Sequence, residues 1–541
     1  MEWCANEKEN YQIYFHNLKF DGQFILDWLF KNGFQYIEDK KERDEYTFTT
    51  LITDVGAWYK IEIWFYRKNK NSFNKVTICD SLKILNMSVD AIAKGFDLPI
   101  RKLEIDYKEK REIGHILTKQ EVEYIKNDVV IIAQALNKMF ELDLDKLTIA
   151  SDALASFKDM TKNFNRYFPK LKPEVDELIR NSYKGGFTYV SDKYAGKEVG
   201  EGVVFDVNSL YPSRMKFEYL PIGQPEEFVG KYFPDRNFPL FVQFFDCKFE
   251  LKPDKIPSIQ IKHSLSFMQN EYLKSSNGEI VSLALTSPDL ELFFEQYEVS
   301  EITYRGGFKF QQRKGIFDNY IDYWTNSKIE AKKNGNRALY QISKLMLNSL
   351  YGKFGTGLRG KKKIPFLVNG KVEFRDSEEE EKAGVYLPVA TFITAYARKY
   401  TIETSQKIRD FSTSECGKDA YLYSDTDSIH ANFSTDDVEK LKTIINIDDF
   451  ELGAWKLESK FKRAKFIRQK CYIEEDYDGI INVTIAGLPK KLGHLINFDN
   501  FKIGFSTEDF SDEEIGKAGR KLTYKKVDGG VVLVDTDFTL K

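Results

Sequence analysis

The sequence predicts a chain of several subdomains that mixes α/β with α+β architecture, and three observations carry that prediction. At 541 residues the chain is longer than one hydrophobic core usually serves. Strand and helix signals alternate from Tyr11 to about Asn137, the pattern of an α/β lobe. Between Leu220 and Phe317 strand-like and turn signals mix with aromatics, which fits a separate α+β insertion.

The elements follow in order. Tyr11 to Phe15 is an aromatic-rich strand, followed by a turn and the apolar helical run FILDWL, and the lobe ends in the helical stretch EVEYIKNDVVIIAQAL. Gly202 to Val207 is a hydrophobic strand that reaches a carboxylate, Asp206, and runs into SLYPS, a turn able to open a helix. From Ile316 the pattern turns helical, breaks at Lys332 to Asn336, and resumes through ALYQISKLMLNSLYG. Two antiparallel helices joined by a Gly turn fit that break. KIPFLVNGKVEFR then sets Asn369-Gly370 between alternating segments, the strongest short-range hairpin signal. Its trailing Glu378 to Glu381 run is expected as a solvated loop. AYLYSDTDSIHANF is a second hairpin with acids at its tip, and VDGGVVLVD is a third; no internal repeat is present.

Composition sets the class. The chain is 42% hydrophobic and 15% aromatic with 14 prolines, which describes a folded protein rather than a disordered one. A net charge of −3 argues against a nucleic-acid partner on the whole-chain rule, but that rule concerns surfaces. Basic runs stand at Arg359 to Lys363, Lys456 to Lys470 and Lys517 to Lys526, although any one alone is more often a solvated face. Five scattered cysteines without a CxxC pair disfavour a disulfide framework or a thiolate zinc site. No basic-then-apolar leader and no membrane-length apolar run is present, so a soluble cytoplasmic protein without membrane contact is expected.

Two-metal nucleotidyl transfer needs two carboxylates held rigidly beside both ions. Asp206 ends an apolar strand, and Asp425 and Asp427 are spaced i, i+2, so that both can project from one face of a hairpin. A lone DTD is more often a turn with solvated acids, and a calcium loop is disfavoured because no D-x-D-x-D-G follows. Spacings of four and three put Lys344, Asn348 and Tyr351 on one helical face, with Gly352 allowing close approach. That face can present a cation to triphosphate and an aromatic surface to a base pair. Taken alone, KLMLNSLYG fits a core helix ending at a Gly cap equally well.

In this order DVNSLYPS, KLMLNSLYG and YSDTDS resemble motifs A, B and C of family B DNA polymerases. Tyr183-Lys184-Gly185-Gly186 resembles the YxGG segment between exonuclease and polymerase lobes, and Lys470-Cys471-Tyr472 the KxY primer-terminus motif. With two insertions, the chain from Tyr14 to Lys541 is similar to the protein-primed phage branch of that family. The resemblance implies a partial RNase H-like exonuclease lobe (1–146) and a right-hand polymerase. The hand would comprise palm (147–219 and 383–487), fingers (318–353) and thumb (488–541), with insertions at 220–317 and 354–382. It further implies template-dependent DNA synthesis by a monomer on primer–template DNA with deoxynucleotides and two Mg2+ ions, which Mn2+ can replace. Asp206, Val207 and Asp427 would bind metal, with Asp425 as the adjacent acid. Ser209, Leu210 and Tyr211 would cradle the triphosphate, the Tyr211 ring lying beneath the sugar and excluding ribonucleotides. Lys332, Lys344, Asn348 and Tyr351 would complete the nucleotide site; a family lysine four residues before Lys344 is Tyr340 here, which puts the phosphate contact at that point in doubt. Tyr183, Gly185, Gly186, Lys470 and Tyr472 would meet DNA. The first insertion would dock a terminal protein that primes replication, and the second, with Lys361 to Lys363 at its root, would close a ring around DNA. The competing reading is a non-catalytic phage-element remnant that still binds DNA or terminal protein. A reverse transcriptase fits less well, because YSDTDS is not a Y-x-D-D tip.

The N-terminal lobe resembles the exonuclease only in part. Asn17, Phe20 and Asp21 in HNLKFDG resemble its second motif, Tyr124 and Asp128 its third, and Lys102 stands where the branch has a catalytic lysine. The first motif, a D-x-E, belongs well before Asn17, where only sixteen residues stand; Glu7 and Glu9 have the spacing but sit in a polar string. The expectation is a chain that starts inside its gene or is naturally shortened, extends primers without editing them, and leaves an apolar edge beside Tyr11 to Phe15.

Overall fold

The computed structural model describes residues 9–69, 72–105, 114–260, 272–382 and 384–541. In the first lobe a five-stranded sheet runs in the order Tyr11–Phe15, Ser72–Asp80, Trp58–Asn69, Thr47–Ile52, Gln35–Tyr36. Ile61, Ile63 and Phe65 alternate onto one face and pack with Leu18, Leu26 and Leu29 of the helix Leu18–Lys31, as the period of a strand requires. Tyr11–Phe15 stands at the end of the sheet but is mostly half-buried rather than a bare apolar edge. Tyr14 accounts for part of this, with its ring 5.9 Å from Phe140 of the helix Lys119–Phe140. Glu7 lies outside the described residues, and Glu9 is exposed and accepts a bond from the Tyr11 hydroxyl.

The central sheet has the order Trp455–Phe461, Gly202–Val207, Ser428–Ala431, Tyr421–Asp425, Thr188–Val190. Val203, Phe205 and Val207 are buried beneath it with Ala397, Ile402 and Ile408 of the 30-residue helix Leu387–Cys416. Beside it lies a second sheet, Ile481–Ile485, Cys471–Glu475, Arg463–Arg468, Glu198–Val199. The α+β insertion is a four-stranded sheet spanning Leu220 to Arg313 with the helix Ser287–Gln296.

The helical pair forms as the sequence predicts, as Asp318–Lys333 and Arg337–Phe354. The second helix runs through Gly352 and is capped by Gly355 instead. The Asn369-Gly370 turn joins Lys363–Val368 to Lys371–Asp376, both loop residues having positive φ (49° and 73°), the geometry that makes Asn-Gly favourable there. One expectation about its root is corrected: Glu380–Glu381 pairs with Arg359–Gly360 as a short ladder, not a free loop. Lys362 and Lys363 are ion-paired with Glu380 and Asp376. The hairpin seats on the first lobe, where Val372 joins the core and Phe374 packs 5.8 Å from Trp58. Its flank meets the C-terminal hairpin Lys521–Val527/Gly530–Thr536 through Lys526 and Glu373, 2.8 Å apart. Among the described residues no helix is long and apolar enough to cross a membrane.

Candidate active site

The two acid-bearing segments meet on the central sheet. Ser428 lies opposite both Asp206 and Asp425 in the strand registers, and the Val207 N–H donates to the Asp427 carbonyl at 2.8 Å. Asp425 and Asp427 do not share a strand face. Asp425 ends its strand, whereas Asp427 sits in the two-residue loop with Thr426, whose φ of 61° and the Asp427 N–H to Asp425 carbonyl bond (2.7 Å) turn the chain sharply. Their environments differ accordingly. Lys470 reaches both Asp425 oxygens at 2.8 Å, and the hydroxyls of Thr188 and Tyr423 donate to the same carboxylate. Burial, and then the charge of Asp427, push the Asp206 carboxyl up to about 7; burial likewise raises Asp427, with Asp425 and Glu458 adding to it. Close acids without a firm cation partner shift in this way.

Ser209, in the left-handed region (φ 59°), leads into the helix Leu210–Phe217, so the first-turn N–H groups stand beside Asp206 in sequence. Leu210 is buried, and the Tyr211 ring stacks on Tyr351 with centroids 4.1 Å apart. Lys344 and Asn348 are exposed on the outer face of their helix, and nothing crowds Gly352. Lys332 is exposed in the last turn of the preceding helix. Between these cations is one the sequence reading missed: burial, then the charges of Lys344 and Lys332, lower the pKa of Lys328. Its place four residues before Lys332, one helical turn away, is the signal that could have found it. Glu458 was also missed. It occupies the irregularity between Leu457 and Ser459 where the neighbouring strand bulges against Gly202–Val207, and a bulge leaves no mark in sequence.

Tyr183 to Gly186 is clamped onto the acid turn. A Cβ on Gly186 would fall 2.6 Å from the Thr426 hydroxyl, and the Thr426 N–H donates to Phe187. Arg398, buried on the long helix, donates to the Lys184 and Gly185 carbonyls at 2.8 and 2.9 Å and binds both oxygens of Asp289. The Tyr183 hydroxyl lies under Gly355. Tyr472 is half-buried beside Tyr423.

In the first lobe, Asn17 is left-handed and donates its N–H to Asp80, Phe20 packs edge-on to Phe24, and burial raises the pKa of Asp21. Lys102 binds Asp128 at 2.6 Å and the Tyr124 hydroxyl at 2.9 Å. The structure thus draws the second- and third-motif residues into the same lobe as His16, whose pKa is lowered by burial, with the Met87 carbonyl, Asp80 and Asp128 opposing the shift and Lys102 adding to it.

A sheet bearing paired acids, a cationic helix pair and a separate α/β lobe define the class as a right-hand polymerase with an exonuclease-like lobe. The model of DNA polymerase type B, organellar and viral, matches residues 4–118 and 106–447. The DNA polymerases of Bacillus phages M2 and phi29 are each 44% identical to the chain, over all of it and 92% of their own length. That of Streptococcus phage Cp-1 is 32% identical over 99% of the chain and 88% of its own. The structure of phi29 DNA polymerase with primer-template DNA and incoming nucleotide superposes with a TM-score of 0.87 at 42% identity, covering 98% of this chain and 91% of that one. The chain belongs to family B, as a phage-type DNA-directed DNA polymerase. Similarity along the whole chain disfavours the non-catalytic remnant.

Proposed function

We propose that Asp206 and Asp427, with the Val207 carbonyl, hold two Mg2+ ions for primer extension, Mn2+ being able to substitute. The observation that carries this is the elevated Asp206–Asp427 pair beside an Asp425 already neutralised by Lys470. Among the described residues no cluster of three His, Cys, Asp or Glu side chains is poised for a metal. Two carboxylates fit Mg2+, which is commonly held by one or two of them together with substrate phosphates. Bound there, the ions would activate the 3′-hydroxyl and stabilise charge on the triphosphate.

The chain's own residues do the rest. Lys328, Lys332 and Lys344 neutralise the triphosphate, and the N–H groups of Ser209, Leu210 and Tyr211 cradle it. Asn348 and Tyr351 face the nascent base pair, and Tyr211, fixed by its stack on Tyr351, closes the space below C2′. Lys470 leaves Asp425 for the primer-terminal phosphate while Tyr472 packs against the sugar; Tyr183, Gly185 and Gly186 follow the template beside the acid turn. The partners are primer–template DNA, deoxynucleotides and a priming terminal protein docked on 220–317, and the enzyme works as a monomer in the host cytoplasm. Residues 1–146 form the exonuclease-like lobe, 147–219 and 383–487 the palm, 318–353 the fingers, 354–382 the second insertion and 488–541 the thumb.

Editing is weak or lacking in this reading, because two-metal exonucleolysis needs about four carboxylates and only Asp21 and Asp128 are identified, Asp128 being paired with Lys102. Primer extension with Mg2+ tests the main proposal: Asp206→Asn should abolish product while gel-shift binding of primer–template persists. Undiminished extension by that variant would refute it. Incubation with a mismatched 3′ end and no nucleotides tests the second, and shortening that Asp21→Ala, Asp128→Ala removes would overturn it.

A further inference from the structure

Two sheets must be held in register if one carries the metal acids and the other the residues that grip the primer end. The central sheet bears Asp206 and Asp427; the neighbouring sheet bears Tyr472, with Lys470 at its edge. Several hydrogen bonds cross between them, among them the Lys470 N–H to the Tyr423 hydroxyl at 3.0 Å and the Gln469 side chain to the Thr188 carbonyl at 2.8 Å, and two ties link a basic side chain to a carboxylate. The first is Lys470 to Asp425 at 2.8 Å, with the lysine 58% exposed. The second is His430 Nδ1 to Glu474 Oε1 at 2.7 Å, with side chains 4% and 13% exposed. His430 lies two residues past Ser428, which pairs with Asp206, and Glu474 lies two residues past Tyr472. By the period of a strand each therefore shares a face with that site residue, one step further in.

Around the second tie the contact is aromatic. Tyr423, Phe466 and Tyr472 surround the imidazole with ring centroids 5.2 to 5.4 Å from it. An aromatic wedge fills volume but slides; a short bond between a ring nitrogen and a carboxylate inside it fixes direction, and its loss leaves a buried polar atom unmatched.

We infer that His430 and Glu474 are positioning residues that hold the primer-end sheet in register with the metal acids while Lys470 is engaged on DNA. This rests on the reading of Lys470 as a primer-end ligand. Before DNA binds, both ties hold. When the Lys470 side chain moves to phosphate, the exposed tie opens; the bonds of the Lys470 N–H to Tyr423 and of Gln469 to Thr188 remain at the rim, and the buried tie keeps the distance and angle between Tyr472 and Asp427.

The test compares His430→Phe, Glu474→Gln and Lys470→Ala by steady-state extension of a primer–template, with melting temperature as the check on folding. His430→Phe should raise KM for primer–template roughly tenfold, the size expected when one partner of a buried charged hydrogen bond is removed, with KM for nucleotide within about twofold. Glu474→Gln, which keeps an acceptor for the ring, should stay near the parent. The His430→Phe effect should persist in the Lys470→Ala background, because the buried tie acts after the lysine has left. If His430→Phe does not fold, Glu474→Ala, altered at the rim of the wedge, carries the same expectation. A folded His430→Phe or Glu474→Ala variant with parental primer KM overturns the inference, whatever Lys470→Ala does. Parental primer KM in Lys470→Ala alone would instead refute the primer-end reading of that lysine, and with it the premise that one tie is released.

Discussion

The acids of the two lobes are of one residue type, and burial raises Asp21 as it raises Asp206, but Asp206 and Asp128 are treated oppositely. On the central sheet Asp206 is pushed up to about 7 by burial and by Asp427, while in the first lobe Asp128 has the Lys102 ammonium at 2.6 Å. The same contrast recurs within one turn, where Asp425 is neutralised by Lys470 and Asp427 is left raised. The difference teaches that carboxylates suited to a cation are those the protein declines to neutralise itself, because the repulsion stored between them is relieved when charge arrives.

The comparison breaks most visibly by swapping acids for amides. Asp206→Asn or Asp427→Asn should lower extension by at least ~1,000-fold, since each removes charge stabilisation from the transition state. Asp21→Asn and Asp128→Asn should leave single-turnover extension within about twofold. Equal losses in both lobes would erase the distinction.

Next in size is sugar choice. Tyr211→Val removes the ring that stacks on Tyr351, and the ratio of ribonucleotide to deoxynucleotide incorporation should rise by about two orders of magnitude. An unchanged ratio in competitive extension would show that Tyr211 is not the gate.

A smaller effect sharpens the cation side. Lys328 is half-buried and within the fields of Lys332 and Lys344, so Lys328→Ala should raise nucleotide KM roughly tenfold, more than exposed Lys332→Ala does, by analogy with the loss of one charged hydrogen bond. Nucleotide titrations of the two variants decide the order.

The smallest effect is on stability. Asp206 has a folded pKa above its ordinary 3.8, so without metal its contribution is fully present below that value and is lost as pH rises through about 7. The melting temperature of the metal-free parent relative to Asp206→Asn should therefore fall as pH rises from that ordinary 3.8 to about 7 and level off above it. Mg2+ should narrow the gap at the upper end. A flat difference across that range would deny the shift.

Local features were legible in the sequence. The strand Gly202–Val207, the helix break at Lys332 to Asn336 and the Asn369-Gly370 turn follow from periodicity and φ preferences within a few residues. Candidate acids were legible through their motifs, but their electrostatic fates were not. Lys470 reaches Asp425 from 45 residues away, Glu458 enters through a bulge, and Lys328 gains its setting only when two helices pack. The equal face expected for Asp425 and Asp427 failed because the turn begins between them. The acidic partners of Lys362 and Lys363 were not legible, because Asp376 is supplied by the returning strand and Glu380 by the short strand after it.

The central claim, that the unneutralised pair holds the ions, is tested most directly by counting Mn2+ bound to a complex with dideoxy-terminated primer–template and the next nucleotide. Electron paramagnetic resonance should give two bound ions for the parent and for the Asp128→Asn variant, and a loss of bound Mn2+ on Asp206→Asn or Asp427→Asn. Retention of both ions by Asp206→Asn, or their loss on Asp128→Asn, would contradict the assignment.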